Sequence, residues 1–129
     1  MGLVRSAILA GARAGVVEME GIYVAYVSGA EGYSAILFVL RNNRISGADV
    51  GGMKYVGDYR VDSNKLTGTL VGEVSANSQL VTGFKAGAEP MRFSVPFSIE
   101  FEDIGQGFIK IASPLGDVTA SIQKIQELP

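Results

Sequence analysis

Three acidic side chains crowd one short stretch, Glu100, Glu102 and Asp103, and two tyrosines, Tyr55 and Tyr59, flank Gly57. These are the side chains whose types and spacing could do chemistry. The carboxylates could ligate a hard divalent cation or meet a basic partner, and the phenols could hydrogen-bond a polar group in a pocket. The missing residues narrow the field further. With no His and no Cys, the chain lacks the commonest general base, the thiolate nucleophile and the usual zinc and haem ligands, and Ser-His-Asp chemistry is ruled out. No run has the spacing of a calcium loop, a Walker motif or a dinucleotide glycine pattern. We therefore expect a protein that binds rather than catalyses, with no resident metal or cofactor. Each group also has a plainer reading: solvated charge that blunts a hairpin for the acids, aromatic packing around Gly57 for the tyrosines, and local turn bonding for Asp49.

The elements that must position these residues read as a single domain. The chain has 129 residues, of which 47% are apolar and 19% charged, so a core is affordable and disorder is not expected. Net charge is −2 and the basic residues are scattered from Arg5 to Lys124, leaving no footprint for direct nucleic-acid binding. Near the N-terminus Leu3, Val4, Ala7, Ile8 and Ala12 fall at helical spacing, and Gly15 is a natural stop, so a short helix is predicted there. Its apolar run, interrupted by Arg13, is too short for a membrane span.

From Glu20 onward the apolar period is two. Met91, Phe93, Val95, Phe97, Ile99 and Phe101 share one face, while Arg92, Ser94, Pro96, Ser98 and Glu100 share the other. Pro96 has no N–H for a ladder, which predicts an edge, a bulge or a break. The same alternation predicts strands over 21–28, 34–41, 44–49, 53–61, 65–75, 91–101, 108–113 and 117–125, joined mostly by tight turns such as Asn42–Asn43. Such a chain makes an all-β, antiparallel up-and-down meander. Eight strands are enough to close into a barrel and so remove the free edges. Along 65–75, Leu66, Gly68, Leu70, Gly72 and Val74 alternate large with absent side chains on one face, which suits a narrow, strongly coiled lumen.

Two surfaces of that barrel are candidates for binding. Its lumen would be lined by Tyr55, Tyr59, Leu66, Leu70, Val74, Phe93, Val95, Phe97 and Ile99, either filled by these side chains or leaving room for a small apolar ligand. Ile36, Leu37, Phe38 and Val39 make a strand apolar on both faces, so its outer side needs a cover: the N-terminal helix or, preferably, a second copy in a homodimer.

The stretches "GIYVAYVS" at 21–28, "LRNNRISGAD" at 40–49 and "YVGDY" at 55–59 resemble the GrlR family, small bacterial negative regulators of type III secretion. Members open with a Gly-Ile-Tyr strand near their first Met. They continue through an Asn-containing hairpin into an Ile-x-Gly-Gly-Asp turn and a Tyr-x-Gly strand. Here that turn reads Ile45-Ser46-Gly47-Ala48-Asp49, with Ala48 in place of the second glycine. The likeness covers about the first half of 20–125; Met19 aligns with the family's start, making 1–18 a helical extension and 19–129 the barrel domain. It implies a cytoplasmic, usually dimeric, lipocalin-like barrel that binds a protein such as a transcriptional activator. The family's acidic run, Glu-Asp-Glu-Asp after the Tyr-x-Gly strand, corresponds to Val61-Asp62-Ser63-Asn64-Lys65, where only Asp62 is acidic and Lys65 has the opposite sign. The exposed charges expected to meet a partner are Asp58, Arg60 and Asp62, with Glu100, Glu102 and Asp103 at another corner.

Overall fold

The period-two alternation is the alternation the backbone adopts. A computed structural model describes residues 19–129, and the helix predicted near the N-terminus lies outside the described residues. The strands are β1 (Gly21–Gly29), β2 (Gly32–Arg41), β3 (Arg44–Asp49), β4 (Lys54–Asp62), β5 (Lys65–Val74), β6 (Met91–Glu100), β7 (Ile109–Ile111) and β8 (Val118–Gln126). They form one eight-stranded antiparallel sheet in the order β6-β5-β4-β3-β2-β1-β8-β7, curled into a nearly closed barrel. Among the described residues no helix is long and apolar enough to cross a membrane.

Tight turns set the register. Asn42 and Asn43 both take positive φ, at 51° and 64°, as a two-residue hairpin twisted with its strands requires. Asn43 also donates its side-chain amide to the Tyr59 carbonyl at 3.1 Å, tying the β2–β3 hairpin to β4. Pro96 sits opposite Thr69 in an unbroken β6, and β6 is the margin of the sheet. The missing N–H therefore costs no ladder bond.

The barrel does not remove its edges in the way the strand count suggests. No ladder joins β6 to β7. The physical reason is the shortness of β7: Gly105 and Gly107 at positive φ precede it, and a turn through Gly116 follows it. The chain leaves β6 through a 3₁₀ turn, Phe101–Asp103, and the Gly105 amide then donates to the Ile122 carbonyl of β8 at 2.6 Å. The seam is thus bridged at one end by a loop rather than zipped by strands.

The core divides by end. At the lower end, Tyr23, Leu40, Ile45, Tyr59 and Leu66 are buried together, with Phe101 and Ile104 of the 3₁₀ link packed on them. At the upper end, Ala25, Val27, Ile36, Met53, Tyr55, Val74 and Ala120 form a second cluster under Leu80, Val81 and Phe84. Between the two, rings and glycines alternate across five strands. Phe38 lies opposite Gly47, Gly47 opposite Tyr55, Tyr55 opposite Gly72, and Gly72 opposite Phe93. A β-carbon on Gly72 or on Gly47 would stand 2.5 Å from the ring of Phe93 or Phe38 respectively. The rings lie over the bare backbone of the neighbouring strand, which lets the wall bend tightly without exposing it.

Candidate functional site

The lumen is partly filled and partly open. A cavity of about 280 Å³ remains between the two clusters. Its walls are apolar: Ala25, Val27, Ile36, Phe38, Leu66, Leu70, Phe93, Val95, Phe97, Ile99, Ala120 and Ile122 all border it. Of the lumen row read from the sequence, Tyr55, Leu66, Leu70, Phe93, Val95, Phe97 and Ile99 border the cavity. Tyr59 and Val74 do not; each is buried in a packed cluster, Tyr59 at the lower end and Val74 at the upper. The tyrosines flank Gly57 as expected, but their rings also serve neighbouring strands: Tyr55 pairs with Gly47 and Gly72, and Tyr59 with Gly68.

The upper wall comes from a segment to which sequence periodicity assigned no role. The connection 75–90 folds back on itself, with Leu80 donating to the Phe84 carbonyl and Ala86 to the Ser78 carbonyl, both at 2.8 Å. The Glu31 amide donates to the Val81 carbonyl at 2.7 Å, strapping this connection to the β1–β2 turn. It brings Ser78, Gln79, Leu80, Val81 and Thr82 to the cavity. Leu80, Val81 and Phe84, apolar in a stretch that reads as loop, were the available signal.

Neutral polar side chains at Ser34, Ser78, Gln79, Thr82 and Ser113 interrupt the apolar wall, and one corner of it is charged. Asp49, at the end of β3, accepts the amides of Gly51 and Met53 through one carboxylate oxygen, at 2.8 and 2.9 Å. That is the turn role expected of it, yet the residue also borders the cavity. Beside it, the Tyr55 hydroxyl points to Met53 Sδ at 3.7 Å. The Tyr55 phenol is held well above its ordinary pKa, first by burial and then by the charge and hydrogen bonding of Asp49. Asp49 is the only charged residue bordering the cavity among the described residues. The Tyr59 hydroxyl is buried with no hydrogen-bond partner among the described residues. Burial raises its pKa, against a smaller opposing effect of the Asn43 backbone.

The outer face holds the remaining candidates. Ile36 and Phe38 point into the lumen, whereas Leu37 and Val39 point out, as alternation along β2 dictates. Outward, Ile22 lies opposite Val39 and Tyr26 opposite Ala35, while Val24, opposite Leu37, is itself buried, so the apolar outer surface of β1 and β2 is exposed chiefly at Tyr26, Tyr33 and Leu37. Tyr26, Tyr33, Leu37 and Val56 are exposed, Tyr33 by 86% and Leu37 by 49%. Asp58, Arg60 and Asp62 are exposed on β4, on the outward parity.

The acidic corner lies where β6 gives way to the 3₁₀ segment: the strand stops at Glu100, Glu102 and Asp103 follow in the 3₁₀ turn, and Glu100 and Glu102 border one small surface pocket with Asn64 and Phe101. Glu100 faces Lys65 across the strands at 3.7 Å. No group of three or more carboxylates is placed to hold a metal ion among the described residues.

No family model, curated protein or solved structure matches the chain.

Proposed function

We propose that the protein is a non-enzymatic regulatory barrel that works by binding protein. One contact is with a second copy of itself through the outer face of β1 and β2. The other is with a partner such as a transcriptional regulator, as its resemblance to negative regulators of type III secretion implies. The observation that carries this reading is the apolar outer surface around Leu37, on a wall whose inner side already belongs to the core. Contiguous exposed apolar surface marks contact sites on folded proteins, and a patch on one face suits a self-complementary two-fold pairing. The alternating charges Asp58, Arg60 and Asp62 on β4 give the partner contact its polar rim. Tagged wild-type protein and the Leu37→Arg variant, each checked for its strand signature by circular dichroism, are used as baits in extract from the native host. Wild-type bait is expected to retain the host's own copy of this chain, which Leu37→Arg loses. Equal recovery by both baits would set the outer-face reading aside.

A second reading is favoured by a different observation, the apolar cavity of about 280 Å³. On this reading the barrel carries a small hydrophobic molecule in its lumen. Organic extraction of purified protein, followed by mass spectrometry, is expected to release a stoichiometric apolar compound; an empty extract counts against carriage.

A further inference from the structure

We infer that the lumen selects by charge: it takes a small apolar molecule with a cationic amine head, and it discriminates against the carboxylate of a fatty acid. The inference rests on the carrier reading and adds the chemical class of the ligand. Size comes first. A cavity of about 150 Å³ accepts benzene, so about 280 Å³ has room for roughly eleven non-hydrogen atoms. That corresponds to a short chain or a small ring system rather than a long acyl chain.

Charge comes second. Among the described residues that border the cavity there is no Lys and no Arg, and Asp49 is the one charged group. An anionic head placed here would meet a carboxylate and find no cation to neutralise it, which is the costly arrangement for a charge leaving water. An ammonium head meets the opposite situation. The turn amides of Gly51 and Met53 occupy one oxygen of Asp49. A carboxylate offers about four lone-pair sites over its two oxygens, so acceptor capacity remains for a ligand even with the Tyr55 hydroxyl hydrogen-bonded there. The Tyr55 hydroxyl adds a second polar atom at the same corner. Asp49 is only half-buried and Gly51 beside it is exposed, so a bound head keeps part of its hydration. The tail then lies along Phe93, Phe97, Leu70 and Ile122, which offer nothing but apolar surface.

The test is isothermal titration of the purified barrel at neutral pH with three probes of one chain length: octylamine, octanol and octanoate, each below its micelle concentration. Octylamine is expected to bind about tenfold more tightly than octanol, a difference of about 1.4 kcal/mol, and octanoate more weakly than either. Asp49→Asn keeps a side-chain oxygen for the two turn amides and removes the charge, so it should bring octylamine down to the octanol level. Octanoate binding as tightly as octylamine overturns the inference while leaving carriage standing. An unchanged amine preference in Asp49→Asn overturns the assignment to Asp49. Binding of none of the three probes overturns the carrier reading and this inference together. The wild-type ranking decides the matter even where the variant fails to fold.

Discussion

The two ends of this barrel are built differently. At the lower end two-residue turns join β2 to β3 and β4 to β5, and the link out of β6 packs Phe101 and Ile104 into the cluster around Tyr59. At the upper end, beside the two-residue β1–β2 turn, lie the connections 50–53, 75–90 and 112–117, and the cavity is roofed by the longest of them. The lower end fixes register and is filled; the upper end is closed by irregular chain and carries the polar corner. The comparison teaches that one end of a sheet can be packed solid while irregular chain at the other end encloses a cavity.

Alanine at two glycines probes that difference most severely. A β-carbon on Gly68 would meet the backbone carbonyl of Asp58, which cannot move without breaking the β4–β5 ladder. One on Gly72 would meet only the far edge of the Phe93 ring, which can swing into the cavity. Gly68→Ala is expected to cost about 3 kcal/mol and Gly72→Ala about 1 kcal/mol in urea denaturation, the span typical of overpacking. Equal costs would mean that the two ends are equally unyielding.

Alkaline titration is the next largest effect. The Tyr55 phenol has its folded pKa raised above the ordinary value of 10.0 by burial and Asp49. A raised folded pKa means that the native state holds its proton longer, so this contribution is fully present below about pH 10 and is lost as the pH climbs toward the folded value. Stability should fall above pH 10 by about 1.4 kcal/mol per pH unit for each such tyrosine. Tyr55→Phe should flatten the slope; an unchanged slope would set the assignment to Tyr55 aside. The smallest effect belongs to the lower end. Tyr59→Phe deletes a buried hydroxyl that has no partner among the described residues; it should leave stability unchanged or raise it by about 1 kcal/mol. A loss of 2 kcal/mol or more (~) would mean that the hydroxyl is bonded in solution.

Most of the scaffold was legible in the sequence because alternation is a one-dimensional signal. The face shared by Met91, Phe93, Val95, Phe97 and Ile99 is read without knowing any neighbour, and the Asn42–Asn43 turn announces its own hairpin. What depends on neighbouring strands was not legible. Tyr55 and Asp49 stood out separately, but only the β3–β4 register places them at one corner. The ring–glycine row likewise exists only across strands: nothing along the chain says that Phe93 covers Gly72. The connection 75–90 has no period to read, and the apolar Leu80, Val81 and Phe84 were the only hint of a roof it gave. Even the shortness of β7, which leaves the seam unpaired, follows from local turns whose extent composition alone does not measure.

The proposed function turns on the outer face around Leu37. The most direct measurement is sedimentation velocity of fluorescently labelled protein in extract from the native host, run in parallel for wild type and Leu37→Arg. Wild-type protein should sediment faster than a single chain, as a dimer or a larger complex, while Leu37→Arg should sediment as a monomer with its strand content intact. Coincident profiles for the two proteins, whether both monomeric or both associated, would contradict the claim that this barrel acts through that face.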